Sequence, residues 1–542
     1  MKFRFDFEYK TGKTIKKTTV LENEDFSAQL KTTDNKTEFI INPKTEIEFT
    51  KFRIICDHNF KMNDRIFTNG YQSWTVSKEY NPDDKMDEFN PKFLGIEKKN
   101  FNPLGIWGAG DLTFHKYPQK RGIFYGYSYG YIRNNNELLL IGSLSEKSGY
   151  TIITFNSNDD TITIEKDFDD VTFNNAFTAL SLAVIKDEYD CAFDKYFEMM
   201  HIQPPKVDRQ CGYTTWYNYY TGVTEEIVNR DLNSILNLDT KIDIFQIDDG
   251  YERTVGDWLI PDKKKFPNGM KVIADKIHNN NMLAGLWLAP FAVTPKSYIY
   301  KKHKDWLVRD KNGKIKFASH NWGGFYALDI YNEEVRDYIR NVFDTVLNDW
   351  GYDMVKLDFL YACCIVPIHN KSRGEIMCEA VDFLRECCGN KIILGCGVPL
   401  APAFGKFEFC RIGADVGLNW ENKAFSREDV STQHTLTNTI YRRHLDGRAW
   451  LNDPDVFLLR DNNIKMSLSQ REIIAKVNSL CGNLLFVSDD VSLYNEKQKT
   501  IFNETVTAKK QKITSAQIDN TIAEIKTDKE SFRFNISSGK VL

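Results

Sequence analysis

A lysine and an aspartate two residues apart are the first candidates for chemistry. They lie in the run MVKLDF at 354–359, which is mostly apolar and therefore predicts a buried strand. Side chains i and i+2 share one face of a strand, so Lys356 and Asp358 point to the same side. Burying an ionised pair costs free energy unless the charges are paired or used. A salt bridge that closes a sheet and an active site are the two interpretations, and we favour the site.

Polar and aromatic residues follow several other apolar runs, where the active site of a βα barrel lies. These residues are Trp216, Asp248, Asp249, Trp287, Cys396, Gly397, Arg411 and Asp415. Carboxylates accept hydrogen bonds from sugar hydroxyls, and an indole ring stacks on the apolar face of a pyranose. Each residue alone also fits a helix cap or a core position. Together they predict a sugar site.

Two of these carboxylates have the roles that glycoside hydrolysis requires. The reaction uses one carboxyl group as nucleophile or base and a second as general acid. We expect Lys356 to keep Asp358 ionised, as a nucleophile must be. The neighbours of Asp415 in sequence are apolar, and they predict a pKa raised toward that of an acid.

The chain divides into four segments, predicted to be an N-terminal β-sandwich, a helical linker, a (β/α)8 catalytic barrel and a small C-terminal β-domain. In order, they comprise residues 1–185, 186–209, 210–490 and 491–542. The first segment alternates apolar and polar residues with period two. The linker ends near Pro204 and Pro205, and the third segment alternates short apolar runs with amphipathic helices. The fold class is therefore α/β.

Eight apolar runs in the third segment are strand candidates, which suits a (β/α)8 TIM barrel with an insertion between the third and fourth strands. They begin at Gly212, Ile244, Leu283, Met354, Lys391, Phe409, Ala449 and Leu484. An open doubly wound sheet is the alternative, but no glycine-rich phosphate loop follows any of these runs. Apolar residues at helical spacing also predict a helix over 332–350, with Asn332 as N-cap and Gly351 as its stop.

The composition restricts the partners and the compartment. The 542 residues include 75 acidic and 71 basic side chains with no basic block, so neither nucleic acid nor a membrane is favoured and a neutral substrate is expected. The eleven cysteines lack disulfide or zinc spacing, and the N-terminus lacks a secretory signal, so we expect reduced thiols in the cytoplasm. The nine histidines are scattered and no metal motif occurs, so no metal or cofactor is expected, and an enolase-like Mg²⁺ site is a minor alternative.

Seven motifs in order resemble the α-galactosidases of glycoside hydrolase family 36, the melibiases. They are NGYQSW at 69–74, FQIDDGY at 245–251, GDW at 256–258, KLDF at 356–359, GCGVPL at 395–400, RIGAD at 411–415 and WLNDPD at 450–455. The resemblance implies the same three domains as the patterns above. It also implies a retaining mechanism with Asp358 as nucleophile and Asp415 as acid/base, their carboxyl groups about 5–5.5 Å apart.

The resemblance further implies a set of galactose-binding residues. Asp248 and Asp249 would hold the hydroxyls at C4 and C6. The hydroxyls at C2 and C3 would be bound by Lys356, Arg411, Cys396 and Gly397. The walls of the pocket would be Trp216, Trp287 and Trp74, the last of which comes from the N-terminal segment.

The substrate expected from this resemblance is a small neutral oligosaccharide of the melibiose or raffinose type, cleaved by double displacement. Three alternatives stay open: an α-N-acetylgalactosaminidase of the same family, a transglycosylase, and a galactose-binding protein without turnover. The presence of both Asp358 and Asp415 argues against the last. Whether the chain forms a homo-oligomer is also open.

Overall fold

Two antiparallel sheets occupy the N-terminal third of the computed structural model, which describes residues 3–86, 115, 117–238, 240–421 and 427–542. The first sheet has the order Thr14–Thr18, Phe3–Thr11, Ile47–Asp57, Thr161–Lys166, Thr151–Asn156 and Ile123–Tyr127, and Thr172–Phe173 pairs with its third strand. The second has the order Phe26–Thr32, Lys36–Pro43, Phe177–Glu188, Glu137–Ser143, Tyr129–Asn134, Arg65–Thr68 and Lys78–Tyr80. The sheets contact each other through rings such as Phe7 and Phe39, whose centroids lie 5.8 Å apart.

A parallel sheet of nine strands follows the helix Tyr189–Met199 and confirms the α/β class. Its spatial order is Leu451–Asp453, Phe409–Arg411, Ile392–Gly395, Met354–Leu357, Leu283–Leu288, Ile244–Ile247, Gln210–Thr214, Leu484–Val487 and Val456–Phe457. Each of the eight predicted strands begins within two residues of its predicted start. The two end strands are separated in sequence by only Pro454 and Asp455.

Helices connect these strands, as the amphipathic patterns predict. The longer ones are Glu225–Ile235, Met270–His278, Glu333–Asp344, Arg373–Cys388, Thr432–Tyr441 and Leu468–Cys481. The predicted cap at Asn332 is confirmed, since its side chain accepts a hydrogen bond from the Glu334 amide at 2.9 Å. A π-helical turn extends this helix to Asp349, and Gly351 ends it with φ +83°.

The predicted insertion separates the third and fourth parallel strands. It contains a small antiparallel sheet with the strands Ala292–Val293, Phe317–Ser319 and Phe325–Ala327. The turn between the last two strands includes Trp322, which reaches the candidate site described below.

The C-terminal segment differs from the prediction of β-structure alone. A helix over Glu496–Thr507 precedes the four-stranded antiparallel sheet Ile513–Asp519, Ile522–Thr527, Ser531–Asn535 and Lys540–Val541. A capping box of Asn495 and Gln498 starts this helix, and buried Phe502 packs against Phe457 with ring centroids 6.0 Å apart. The capping pattern was present in the sequence and was missed.

Two findings concern the whole described chain. All eleven cysteines are free thiols, as expected. Across the described ranges, no helix has both the length and the apolar character needed to cross a bilayer.

Candidate active site

The predicted site residues follow the carboxyl ends of neighbouring parallel strands. In the register of the sheet, Trp287 is opposite Lys356 and Leu357 is opposite Gly395. Asp358 therefore leaves its strand between Trp287 on one side and Cys396 on the other. This arrangement brings residues far apart in sequence to one edge of the sheet.

Asp358 lies at the bottom of this edge and is only 7% exposed. Its carboxylate accepts hydrogen bonds from Trp287 Nε1 at 3.1 Å and from the Phe359 amide at 2.8 Å. Burial raises the pKa of Asp358 above its usual value, while the charge of Lys356 and the donors of Trp287, Cys396 and Phe359 oppose that rise. Asp358 is thus a buried carboxylate held mainly by neutral donors.

The lysine on the same strand forms its ion pair with another aspartate, Asp248. Lys356 Nζ donates to Asp248 Oδ2 at 2.8 Å, and both side chains are buried. Gln246 Nε2 donates to the same oxygen at 2.6 Å. This carboxylate follows Ile244–Ile247, which is separated from the strand of Lys356 by Leu283–Leu288. The charge of Lys356 nevertheless lowers the pKa of Asp358 and so favours its ionised form, as expected. Lys356 acts on Asp358 only through its charge.

Asp249 occupies a second buried position beside this pair. Its Oδ2 accepts a hydrogen bond from Trp322 Nε1 at 2.8 Å. Buried Glu252 forms a side-chain hydrogen bond with Asp249, and burial raises the pKa of both carboxyl groups. Two hydrogen-bonded carboxyl groups share a proton more readily than they both ionise. Asp249 is held from two sides, by an indole and by a carboxyl group.

Arg411 has three carboxylate partners. Its guanidinium binds Asp415 at 2.8 Å, Asp453 at 3.2 Å and Asp455 at 2.7 Å, and only 4% of its side chain is exposed. The apolar surroundings expected for Asp415 are therefore wrong. Asp415 is ion-paired, and 34% of its side chain is exposed. Burial raises the pKa of Asp455 to about 7, although Arg411 opposes the rise.

Trp74 arrives from the N-terminal sheets, as the resemblance implied. Its Nε1 lies 3.3 Å from Cys396 Sγ, and its ring centroid lies 5.1 Å from that of Phe359. Gly397 has φ +53°, and a Cβ atom there would lie 2.8 Å from the Phe359 amide nitrogen and 2.9 Å from the Trp74 ring. Only glycine allows this close approach.

The loop that carries Trp74 is bound by a fully buried arginine. Arg442 donates to the carbonyl oxygens of Gln72 at 3.0 Å, Ser73 at 2.6 Å and Ile412 at 2.9 Å. All three acceptors are neutral, and burial lowers the pKa of Arg442 to about 10. The loop is thereby tied to the end of the Phe409–Arg411 strand.

Trp216 is the predicted residue with the fewest contacts to the others. It begins the short helix Trp216–Tyr219 after the first parallel strand and packs edge-on to Tyr220. The helix follows Thr214 and Thr215, and Thr215 Oγ1 accepts a hydrogen bond from the Asp248 amide at 3.0 Å. Trp216 thus lies at the same strand edge as the carboxylates.

Four residues around this edge have positive φ although they are not glycine. They are Tyr220 at 47°, Trp322 at 56°, Phe359 at 55° and Asp455 at 75°. Such conformations cost about 1–3 kcal/mol each and persist only where the surrounding contacts impose them. Four strained backbone positions thus lie where the candidate side chains meet.

Trp322, Glu252 and Asp453 are site contacts that the sequence prediction missed. Trp322 lies in the insertion, between His320-Asn321 and two glycines, and that turn composition was its only signal. Asp453 lay inside the motif WLNDPD without an assigned role, and Glu252 directly follows the motif FQIDDGY. Within the described ranges, no three His, Cys, Asp or Glu side chains are grouped to hold a metal ion.

Residues 214–374 match the family model described as Melibiase. This segment includes Asp248, Asp249, Trp287, Lys356 and Asp358. Residues 214–374 belong to the melibiase family. The motifs of this segment that predicted the family are therefore confirmed.

Relatives of this melibiase segment are similar over short alignments. The chain is 33% identical over 124 residues to Alpha-galactosidase Mel36A of Lactobacillus acidophilus, an alignment that covers 22% of this chain and 16% of the relative. It is 30% identical over 139 residues to the A type blood alpha-D-galactosamine galactosaminidase of Flavonifractor plautii, covering 24% of this chain and 13% of the relative. The chain thus spans less than a fifth of the length of these two relatives.

One solved structure is similar over nearly the whole chain. It is TtGalA, an α-galactosidase from Thermus thermophilus in complex with p-nitrophenyl α-D-galactopyranoside. The TM-score is 0.73 at 23% identity, and the match covers 93% of this chain and 98% of the other. The similarity shows a shared fold.

Proposed function

We propose that this melibiase-family protein is a retaining α-galactosidase that releases terminal α-linked galactose from small oligosaccharides. The observation that carries the proposal is the contrast between two carboxylates at one strand edge. Asp358 is buried and bound by neutral donors, whereas Asp415 is partly exposed and bound by Arg411. A nucleophile and an acid/base that reaches the leaving group need these two environments.

In the first step, an oxygen of ionised Asp358 attacks the anomeric carbon of galactose. The bond from that carbon to the leaving oxygen breaks, and Asp415 gives its proton to that oxygen. In the second step, ionised Asp415 removes a proton from water, and the water oxygen attacks the anomeric carbon. The ester bond to Asp358 breaks, and galactose leaves with its α configuration retained.

Substrate binding uses the rest of the site. We assign Asp248 and Asp249 to the hydroxyls at C4 and C6, and Lys356, Cys396 and Gly397 to the side of C2 and C3. Trp74, Trp216 and Trp287 wall the pocket. Each of the three guanidinium nitrogens of Arg411 contacts a carboxylate, which supports a role in orienting Asp415 in addition to its assigned contact with the sugar.

The scaffold we propose is a closed (β/α)8 barrel between an N-terminal β-sandwich and a C-terminal β-domain. Support for closure comes from the seventh strand. Leu451–Asp453 pairs with the sixth strand, Phe409–Arg411, and Val456–Phe457 pairs with the eighth, Leu484–Val487. Since only two residues separate the halves, one bent strand connects both edges of the sheet.

An α-N-acetylgalactosaminidase is the second candidate. The Flavonifractor plautii relative is named for galactosamine, a sugar with nitrogen at C2, which favours only a site that accepts a substituent other than hydroxyl there. The geometry at C2 opposes it. Trp74 bonds to Cys396, and Gly397 already approaches the Trp74 ring too closely to accept a Cβ atom. An acetamido group on C2 is larger than a hydroxyl, so the proposal is that galactose is preferred.

The test compares 4-nitrophenyl α-galactoside with its N-acetylgalactosaminide counterpart, using wild type, Asp358→Ala and the surface control Asp337→Ala. Asp337 has a side chain 75% exposed on the outer helix Glu333–Asp344. Cleavage of the galactoside by wild type and by the control, but not by Asp358→Ala, supports the proposal. Preference for the N-acetylated sugar supports the second candidate. Binding of galactose without cleavage of either glycoside contradicts both.

A further inference from the structure

Tyr220 is an aromatic residue at the strand edge for which the proposed mechanism has no role. It follows the helix Trp216–Tyr219 and is 41% exposed. Its ring lies edge-on to Trp216, with centroids 5.2 Å apart and an interplanar angle of 87°. Among the described residues its hydroxyl has no hydrogen-bond partner. Trp216 and Tyr220 thus form a corner of two rings that is open to solvent.

The turn that carries this corner is fixed from both sides. Buried Arg460 donates to the Tyr217 carbonyl oxygen at 2.9 Å, and Lys265 donates to the Thr221 carbonyl oxygen at 2.8 Å. These bonds hold the backbone between Trp216 and Tyr220 and the residue that follows Tyr220. The rings are therefore presented by a rigid turn.

The backbone conformation at position 220 is unfavourable for tyrosine. Tyr220 has φ +47° and ψ −137°, a conformation that favours glycine. The neighbouring tyrosines have polar partners, since Tyr217 binds Asp455 and Tyr219 accepts a hydrogen bond from Arg230 at 2.5 Å. Tyr220 has a large ring at a strained position and no such partner. This indicates that the ring contacts a ligand and does not serve the packing of the protein itself.

The position of Tyr220 relative to the carboxylates indicates that use. Tyr217, three residues before Tyr220, donates its hydroxyl to Asp455 Oδ2, and the Val416 amide donates to the same oxygen at 2.7 Å. Asp415 directly precedes Val416 in the sequence. The charge of Asp415 also adds to the rise that burial causes in the pKa of Tyr220. The turn that carries Tyr220 therefore lies on the Asp415 side of the site, where the leaving group of the proposed reaction departs.

We propose that Trp216 and Tyr220 form a platform for the leaving group, specifically for a hexopyranose ring linked to the anomeric oxygen of galactose. The inference rests on the proposed function and extends it. The apolar face of the second sugar stacks against the Tyr220 ring, and the hydroxyls of that sugar point to solvent. Tyr220 then determines preference among leaving groups without contributing to attack on galactose.

The experiment compares kcat/KM for melibiose, which has a second sugar, with kcat/KM for α-galactosyl fluoride, whose leaving group is too small to touch the platform. The variants are Tyr220→Ala, Tyr220→Phe and the control Tyr298→Ala, which removes a tyrosine 53% exposed in the insertion. We expect the melibiose-to-fluoride ratio to fall about tenfold in Tyr220→Ala, the size of one lost ring contact. The ratio should stay near the wild-type value in Tyr220→Phe and Tyr298→Ala.

A ratio that is unchanged in Tyr220→Ala, or that falls equally in Tyr298→Ala, would overturn the platform while leaving the proposed function intact. Failure of the wild type to cleave either substrate would instead overturn the proposed function.

Tyr220→Gly separates function from folding. It should lose the same selectivity as Tyr220→Ala yet melt at a higher temperature, because glycine relieves the strain. A lower melting temperature than that of Tyr220→Ala would contradict the conformational argument.

Discussion

Asp358 and Asp415 lie at the same strand edge in very different surroundings. Asp358 is 7% exposed and takes hydrogen bonds from an indole and an amide, whereas the Asp415 side chain is 34% exposed and paired with Arg411. In the proposed mechanism, the inner position keeps water away from the nucleophile. The outer position leaves the acid/base open to leaving groups and to water. The difference in burial across one edge suits the two proposed roles.

The largest expected effect is that of Asp358→Ala. Loss of the nucleophile should lower kcat/KM by about 10⁴-fold for melibiose and for 4-nitrophenyl α-galactoside alike. The two losses are similar because a better leaving group does not compensate for the missing attacking oxygen. Steady-state assays of both substrates measure it. A loss below about 10²-fold on either substrate would contradict the assignment of Asp358 as the nucleophile.

Asp415→Ala should show an effect that depends on the leaving group. We expect kcat/KM to fall about 10³-fold for melibiose, whose leaving alcohol needs a proton, and far less for 2,4-dinitrophenyl α-galactoside, which does not. Equal losses on the two substrates would contradict the outer, acid role of this carboxylate.

Lys356→Met tests the ion pair behind the inner carboxylate. Removing the lysine leaves Asp248 charged, buried and unpaired, and should lower the free energy of unfolding by about 3–5 kcal/mol. Urea unfolding measures the change. The matched control is Lys406→Met, which breaks an exposed pair with Asp382 and should cost less than about 1 kcal/mol. Similar losses in the two variants would show that the buried pair is not structural.

The smallest effect is a shift in pH dependence. The nucleophile must be ionised, so kcat/KM falls as pH drops through the pKa of Asp358, which burial raises above the usual 3.8. The Trp287 N–H lowers that pKa, and Trp287→Phe removes it. We expect the acidic limb of the pH profile to move to higher pH in this variant. A shift to lower pH would contradict the hydrogen bond.

Much of this comparison could be predicted from sequence. The strand starts and the residues that follow them were predictable, because hydrophobic period and strand ends are local features. The ion pair of Arg411 with Asp415 joins residues only four positions apart, so its signal was also local. The pairing of Lys356 with Asp248 was not predictable in this way, since it depends on the order of the strands in the sheet. Trp322 was missed for the same reason. Its contact with Asp249 joins an insertion to a strand 73 positions earlier in the sequence.

Azide rescue is the measurement that tests the division of roles most directly. With Asp358→Gly and 4-nitrophenyl α-galactoside, azide enters the vacated space and displaces the leaving group once, so the product is β-galactosyl azide. With Asp415→Gly, azide attacks the galactosyl ester of Asp358, so the second inversion gives α-galactosyl azide. The account predicts this pair of opposite anomers. The reversed pair, or the same anomer from both variants, would contradict it.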